Sequence, residues 1–201
     1  MRIELLNKQD ILSIREFIKI HDNAFLSRKW KKNPYTPLVE EQFVKSLENE
    51  NLNIVLAYNN KKMMGGLAYT FNKELNSIYV SHVCVDPIVQ GKGVAGTLLD
   101  YVDNKARQMD CDCIRLNVGN VWKNARCLYE KKGFIKVGVI AHVPGTYKLI
   151  DYTKPIKNGK GAKRRFAVKY FISKIKFLVL FKKDCTPRVL YKMLYGKGGS
   201  K

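Results

Sequence analysis

The chain has 201 residues, of which 46% are apolar and 27% are charged. This composition excludes an intrinsically disordered protein, and the length fits one domain with an appendage better than two full domains. The net charge of +20 lies mainly at the end of the chain, with +6 through Asp151 and +14 after it. Such an excess attracts an anionic partner, whether nucleic acid, acidic lipid headgroups or an acidic protein.

The cysteines and the first residues indicate a cytoplasmic protein. Five cysteines are an odd number, and MRIELLNKQD carries charge throughout instead of the apolar core of a signal peptide. Cys111 and Cys113 are one residue apart and lack the second pair that a zinc site requires. We therefore expect free thiols and no metal site.

The first half of the chain predicts two helices and four strands. Residues 3–6 form an apolar run typical of a strand, and Asp10 precedes an apolar stripe with helical spacing. A basic aromatic loop, SRKWKKNPYTP, ends in Thr36-Pro37, which predicts the start of a second helix through about Glu48. Strands over residues 53–58, 62–71 and 74–85 then follow as an antiparallel meander with short separators.

The period of the apolar residues changes after residue 85. A stripe from Leu98 to Met109 predicts a helix, and a second, shorter helix from Lys123 ends at Gly133. Further strands are predicted at residues 113–118, 134–143 and 147–153.

Beyond residue 153 the sequence predicts a separate basic extension, residues 154–201. KNGKGAKRRF is typical of a linker, AVKYFISKIKFLVLFKK mixes apolar residues with lysines, and Thr186-Pro187 opens a short final helix. No uninterrupted apolar run is long enough to span a membrane. Three roles stay open for the extension: helices packed on the domain with solvated lysines, docking on RNA or ribosomes, and binding to an anionic membrane surface.

A glycine pattern, Gly91-x-Gly93-x-x-Gly96, matches the dinucleotide-binding fingerprint. The surrounding sequence excludes a Rossmann domain, because five residues separate the strand from the glycines and no acidic residue ends the next strand. Only one further helix precedes the closing hairpin. The pattern must therefore serve another ligand, or none.

The same loop has the properties of a phosphate site. Gly91 and Gly93 allow close approach of the backbone, and a helix beginning near Val94 directs unpaired N–H groups and its positive end into the loop. These features predict a pyrophosphate site, to which Lys92 and Thr97 add a charge and a hydroxyl. The alternative is a tight strand-to-helix connection without a ligand.

Two segments resemble the signatures of the GNAT superfamily of N-acetyltransferases. Val85-x-Pro87 followed by Gln90-Gly91-Lys92-Gly93-Val94-Ala95 resembles Q/R-x-x-G-x-G/A, and Ala125-x-x-Leu128-Tyr129-Glu130-x-x-Gly133-Phe134 resembles the second signature. The order of elements is also similar. The resemblance covers about residues 1–153 and implies a GNAT-like α/β (α+β) fold. In that fold a mixed, mostly antiparallel central sheet is flanked by helices, here followed by the basic C-terminal helical extension.

The resemblance implies acetyl-CoA as the cofactor. The glycine loop would hold its pyrophosphate, the fourth strand would pair with its pantetheine arm, and a backbone N–H there would face the thioester oxygen as it becomes an oxyanion. The fifth strand would splay from the fourth to make room. An asparagine of the second signature is replaced by Trp122, so Asn120 or Asn124 would make that contact. The implied cofactor-binding residues are Val83, Cys84, Val85, Gln90, Gly91, Lys92, Gly93, Val94, Ala95, Gly96, Thr97, Asn120 and Asn124.

The resemblance also implies Tyr129 as the general acid that protonates the departing thiolate. A phenol with a reference pKa of about 10 holds its proton at neutral pH. The base stays open: alternation along the fourth strand predicts Tyr79, Ser81, Val83 and Val85 on one face and Val80, His82 and Cys84 on the other. His82, Glu74 and His142 are candidates, with a satisfied core histidine expected at His82, and a neutral amine with a water relay needs no base.

The sequence therefore predicts an acetyl-CoA-dependent N-acetyltransferase. An amine of a small molecule or protein would attack directly in a ternary complex. A ping-pong mechanism through Cys84 is disfavoured because a buried thiol is usually inert. Alternatives are a CoA- or RNA-binding module without catalysis, and an enzyme directed to a tRNA- or ribosome-associated amine by its basic extension. Trp30 and Tyr35 would contact the acceptor or anchor their own loop.

Overall fold

The computed structural model describes residues 1–26, 37–49, 51–143 and 147–156. Within these ranges four α-helices and seven β-strands follow the predicted order. The helices are α1 (Ile11–Leu26), α2 (Glu40–Asn49), α3 (Val94–Gln108) and α4 (Lys123–Lys131). The strands are β1 (Arg2–Leu5), β2 (Asn53–Asn59), β3 (Lys62–Asn72), β4 (Ser77–Val85), β5 (Cys113–Gly119), β6 (Ile135–Val143) and β7 (Tyr147–Pro155).

Several sequence predictions lie outside the described residues. They concern the loop with Trp30 and Tyr35, the Thr36 cap, the side chain of His142 and the extension beyond residue 156. The division of the chain into residues 1–153 and 154–201 therefore stays a prediction. Within the described ranges, no helix is long and apolar enough to cross a membrane.

All seven strands form one mixed sheet in the order β1-β2-β3-β4-β5-β7-β6. Neighbouring strands are antiparallel except β4 and β5, which are parallel and are joined by α3. A parallel pair needs such a crossover because a tight turn cannot connect its strands. The predicted mixed, mostly antiparallel sheet flanked by helices is confirmed.

Two apolar cores cover the two faces of the sheet. Under α3 and α4, Leu98 packs with alternate residues of the strands. Under α1 and α2, Phe17 and Phe43 stack with their ring centroids 5.6 Å apart. Strand alternation produces this division, since β2 sends Val55 to the α3 core and Leu56 to the α1 core.

Two element boundaries differ from the predictions. α2 begins at Glu40 instead of Pro37, with acidic side chains at its first two positions, where the positive end of the helix favours them. The turn between β3 and β4 has four residues, 73–76, instead of two. Asn72 accepts a backbone hydrogen bond within this turn, and Asn76 adopts a φ of 45°. Asparagines commonly support both features of turns.

The pairing of β4 with β5 stops halfway along both strands. It covers the first four residues of each strand and ends at Val80 opposite Leu116. β4 continues to Val85 against β3, and β5 continues to Gly119 against β7. The two strands therefore diverge, as the resemblance implied, and leave an opening in the middle of the sheet.

Gly66 on β3 provides a test of the packing between α1 and the sheet. A Cβ at this position would lie 2.7 Å from two ring carbons of Phe17 and 3.0 Å from Leu56. We therefore expect Gly66→Ala to lower the free energy of unfolding by about 1–3 kcal/mol through overpacking, measured by urea denaturation. The matched control is Gly96→Ala, whose Cβ would meet only the flexible side chain of Lys132 at 3.4 Å. Equal midpoints for Gly66→Ala and wild type would contradict the packing.

Candidate active site

A short loop joins the diverging end of β4 to α3. A 3-10 turn over Pro87–Val89 is capped by Asp86, whose carboxylate accepts a hydrogen bond from the Ile88 N–H at 3.0 Å. Gln90 then folds back, and its side-chain amide donates to the carbonyl of Val85 at 3.1 Å. The loop is thereby held beside the last residue of β4.

Two glycines shape this loop as the sequence predicted. Gly91 and Gly93 have φ angles of 82° and 86°, in the region that glycine adopts without strain. A Cβ on either residue would meet no other atom of the described residues within 4 Å. Within the described part of the chain, the space in front of the loop is therefore open, which leaves room for a ligand.

The N-terminus of α3 faces this space without a side-chain cap. Gly93 is the N-cap residue, and the first helical bond runs from the Thr97 N–H to the Gly93 carbonyl at 3.1 Å. The N–H groups of Val94, Ala95 and Gly96 precede that bond and have no acceptor within the helix. No acidic residue lies in the first turn. These donors and the positive end of the helix fit a pyrophosphate group.

A bulge in β4 changes the faces that strict alternation predicted. β3 pairs with Val80 and with His82 but passes over Ser81, which is therefore the extra residue. The prediction that Val80 shares a face with His82 and Cys84 is wrong. Val80 joins Val83 in the α3 core, whereas Cys84 lies in the α1 core.

The bulge places Tyr79 on the same face of the sheet as His82, because both neighbours of Tyr79 point into the α3 core. The Tyr79 hydroxyl lies 2.9 Å from the side-chain amide of Asn117 on β5. This amide satisfies both neighbours when its oxygen accepts from Tyr79 and its nitrogen donates to the buried Asp151 at 2.9 Å. A polar chain thus runs from β4 to β7 where the strands diverge.

His82 contacts a histidine from α1. Its Nδ1 lies 3.1 Å from Nε2 of His21, with the two rings edge to face at 4.8 Å. Nδ1 of His21 lies in turn 3.5 Å from Oδ1 of Asp22. Burial lowers the pKa of both histidines, and hydrogen bonding to Asp22 partly opposes this for His21. Both imidazoles are therefore neutral at pH 7, and the predicted satisfied histidine is what the structure shows.

Tyr129 lies on the α3 side of the sheet, opposite to the α1 side that carries His82. It is 7% exposed, packs edge-on against Phe134 at 5.8 Å, and belongs to the same core as Val83 and Val85 of β4. The end of the helix fixes its position, since the Tyr129 carbonyl accepts the Phe134 N–H at 3.0 Å across Gly133. The second signature therefore builds a short helix and stop that hold one tyrosine behind β4.

The asparagine candidates differ in accessibility. The side-chain oxygen of Asn120 accepts the Lys148 N–H at 2.7 Å, whereas Asn124 is exposed in the first turn of α4. Asn124 is thus the better placed of the two for a ligand. Trp122 packs edge-on against Phe25 of α1 at 5.4 Å.

Cys84 has the properties of an inert thiol. Its Sγ lies 3.6 Å from the carbonyl of Gly66, and burial raises the pKa of the thiol to about 12. A thiol that stays protonated is a poor nucleophile. Only the backbone of Cys84 fits a role at the opening.

Sequence reasoning missed three features near this site: the bonding of Asn117 to Tyr79 and Asp151, the contacts of His21 with Asp22 and His82, and Lys132. Lys132 follows the last residue of α4, forms an ion pair with Asp100 at 2.6 Å and lies beside Gly96. Asn117 and Asp151 are opposite each other on β5 and β7, so their pairing could be predicted only from the order of strands in the sheet. His21 lay on an apolar helical stripe, which is typical of core residues.

The neutral histidines predict a pH-dependent stability. The unfolded chain binds protons at about pH 6.5 and below, while folded His21 and His82 resist protonation, so acidification favours unfolding. We expect the free energy of unfolding to fall between pH 6.5 and pH 5, by up to about 1.4 kcal/mol per pH unit for each histidine. Urea denaturation at both pH values measures this. His82→Asn should weaken the dependence, and a flat profile for the wild type would contradict the buried neutral pair.

Comparisons with known proteins agree with this geometry. The family model described as an acetyltransferase (GNAT) domain matches residues 15–147. No sequence among the curated proteins matches the chain. Three similar solved structures share its fold, each at 20% identity or less. The ribosomal-protein-S18-alanine N-acetyltransferase of Escherichia coli has 20% sequence identity and a TM-score of 0.64, and the match covers 79% of this chain and 96% of that chain. The ribosomal-protein-alanine N-acetyltransferase of Brucella melitensis has 19% identity and a TM-score of 0.63, with 77% of this chain and 99% of that chain covered. The PaiA N-acetyltransferase of Thermoplasma acidophilum, solved with coenzyme A, has 14% identity and a TM-score of 0.58, with 77% of this chain and 99% of that chain covered.

The family model covers well over half of the chain, and the expected cofactor, acetyl-CoA, is the acetyl donor of that family. The chain belongs to the GNAT family of acetyltransferases.

Proposed function

We propose that the protein is an N-acetyltransferase that transfers an acetyl group from acetyl-CoA to a primary amine by direct attack in a ternary complex. One observation carries the proposal beyond family membership. The opening between β4 and β5 ends at the glycine loop, so a site for an extended arm and a site for a pyrophosphate adjoin each other. Acetyl-CoA has these two parts in the same order.

The proposed cofactor site consists mainly of backbone groups. Val83, Cys84 and Val85 would pair with the pantetheine arm as an added strand does with a sheet edge. The loop from Gln90 to Gly96, with the hydroxyl of Thr97 and the charge of Lys92, would hold the pyrophosphate. Bound acetyl-CoA supplies an acyl group activated as a thioester. A backbone N–H of β4 would hold the carbonyl oxygen of that thioester.

Tyr129 is the proposed general acid. Its position in the same core as Val83 and Val85 supports this role, because a thiolate leaving from the opening would need a proton from that side. Burial among Phe134 and the β4 valines also keeps bulk water from replacing it.

The proposed acceptor class rests on similar structures and on the charge of the chain after Asp151. Similar folds from Escherichia coli and Brucella melitensis are described as acting on the alanine of ribosomal proteins. Peptides with a free N-terminal alanine are therefore the first acceptors to test, beside spermidine and a lysine peptide with a blocked N-terminus. The charge of +14 after Asp151 would favour acceptors that are bound to RNA. We place the protein in the cytoplasm, because free thiols such as that of buried Cys84 stay reduced there.

The phosphate site is tested by a matched pair of variants. Asp and Asn are similar in size, and both tolerate positive φ better than most residues, so Gly93→Asp and Gly93→Asn should differ mainly in charge. We expect calorimetry to show micromolar acetyl-CoA binding by the wild type, weakened binding by Gly93→Asn and none by Gly93→Asp. Equal binding by the two variants would place the pyrophosphate elsewhere, and no binding by the wild type would leave a non-catalytic module.

The acid role predicts a separation of binding from turnover. Tyr129→Phe keeps the ring that packs against Phe134 and removes only the hydroxyl. We expect acetyl-CoA binding to stay within about twofold of wild type and kcat to fall by about 100-fold or more, followed as thiol release. An unchanged kcat would mean that the thiolate takes its proton from another source.

A further inference from the structure

The α1 side of the sheet has two parts. In the described chain, the buried apolar residues of α1 and α2 pack with β2, β3 and β4, and none from β5, β6 or β7 belongs to that core. The second part is formed by β5, β7 and the start of β4, whose neighbouring side chains point into the α3 core. We call it the distal face, and its residues are Ser77, Tyr79, Cys113, Arg115, Asn117, Asp151 and Thr153.

The distal face is buried, although the core under α1 does not extend to it. Ser77 is 0% exposed, Cys113 and Asp151 are 1% exposed and Thr153 is 3% exposed. The hydroxyls of Ser77 and Thr153 find no hydrogen-bond partner among the described residues, whereas water would bond to them on an open face. Nε of Arg115 is also inaccessible to water, so this long side chain is itself covered. Burial on a sheet face requires a layer packed against it.

The loops at the far end of β5 are poorly placed to form this layer. α1 ends beside Trp122, which follows β5, because the rings of Phe25 and Trp122 are 5.4 Å apart. Residues 27–36 begin there, and the chain returns to a hydrogen bond with Asp22. Cys113 is at the other end of β5, about 20 Å away along its seven residues. Ten residues span at most about 36 Å, which is less than the distance out and back.

The chain after β7, in contrast, leaves the sheet directly at the distal face. The Ile156 N–H donates to the carbonyl of Asp112 at 3.0 Å, immediately before Cys113. Residues 157–201 continue from this point. The first ten of them could span up to about 33 Å, which is enough to bring the following segment back over β5 and β7.

The following segment, residues 167–183, has the pattern of an amphipathic helix. Its apolar residues recur at intervals of three and four and form one stripe: Val168, Phe171, Ile172, Ile175, Leu178 and Val179. Lys169, Lys174 and Lys176 fall outside this stripe. A helix of this length is about 25 Å long, similar to the nine residues of β7. The stripe therefore matches the distal face in length and in apolar character.

We propose that residues 167–183 pack as an amphipathic helix on the distal face, with the apolar stripe against β5 and β7 and the lysines in solvent. The inference does not depend on the proposed acetyltransferase activity. It assigns the apolar side of the extension to the protein itself and leaves only its basic side for an anionic partner. The helix would lie beside Asn117, so the extension would border the opening in the sheet.

The native cysteines report on this contact in the full chain. Cys113 lies on the distal face, whereas Cys111 and Cys84 lie in the α3 and α1 cores and Cys127 is exposed. Burial raises the pKa of the Cys113 thiol to about 12, so it reacts slowly while it is covered. Alkylation by iodoacetamide, followed by mass spectrometry that resolves each cysteine, measures its accessibility. In the wild type we expect Cys127 to react rapidly and the other three slowly.

A matched pair of variants tests which segment covers Cys113. Ile172→Asp places a charge in the apolar stripe, and Ser173→Asp adds the same charge outside it. We expect Ile172→Asp to accelerate alkylation of Cys113 by about tenfold or more, with Cys84 and Cys111 still protected, because only the extension is released. Ser173→Asp should keep the wild-type rate. An unchanged rate at Cys113 in Ile172→Asp would overturn the proposal.

A cleavage experiment decides the case in which Ile172→Asp exposes Cys84 and Cys111 as well and therefore unfolds the domain. The recognition site of a sequence-specific protease replaces residues 157–161, and the purified full chain is then cut. We expect the released segment to co-elute with the domain on gel filtration in about 1 M NaCl, where charges are screened beyond about 3 Å and apolar contacts persist. Separate elution of the two fragments would contradict the proposed contact.

The other possible occupant of the stripe, an anionic membrane, gives a different result. In that case Cys113 of the wild type would be alkylated as fast as Cys127, and the cut segment would leave the domain and sediment with phosphatidylserine vesicles. Both results would overturn the proposal. Protection of Cys113 in the wild type, its loss in Ile172→Asp and co-elution after cleavage would support it.

Discussion

The divergence of β4 from β5 after Val80 is the constraint on which the site depends. Backbone N–H and C=O groups within a protein need hydrogen-bond partners. Beyond Val80, the backbone groups of β4 on the β5 side no longer bond to β5. An extended ligand can supply them, as an added strand does at a sheet edge. Because β5 stays paired with β7, the opening has a rigid wall on each side. The same end of β4 leads through the glycine loop into the uncapped helix α3. One continuous stretch of chain can therefore bind both an extended arm and an anion.

The bulge at Ser81 has an effect beyond its own residue. Without the bulge, strict alternation through Ser81 would direct His82 into the core under α3 and Val83 towards α1. With it, a polar imidazole and the Tyr79 hydroxyl share the face that α1 covers, and the valines support Tyr129 from behind. Bulges near functional sites commonly re-aim side chains in this way.

The parts of the site that are local in sequence could be predicted, and the parts that depend on distant pairing could not. The glycine pattern of six residues predicts the positive φ of Gly91 and Gly93, and Gly133 predicts the end of the helix that carries Tyr129. The contact between His21 and His82 joins residues 61 positions apart. The faces of Tyr79 and Val80 relative to His82 required the register between β3 and β4, because strict alternation within one strand does not anticipate the bulge. The predicted boundaries of α2 and of the turn after β3 were wrong by a few residues, because side-chain capping shifts the ends of such elements.

The missing cap of α3 links folding to ligand supply. A Ser, Thr, Asp or Asn at the N-cap would contribute about 1 kcal/mol to helix stability, but Gly93 offers no side chain for this purpose. A bound pyrophosphate would provide the missing acceptors, so the native state gains its last stabilisation only with the cofactor in place. By mass action, a ligand at 100 times its Kd adds about 2.7 kcal/mol to the stability of the folded chain. The resistance of this protein to proteolysis would therefore rise and fall with the acetyl-CoA level of the cell.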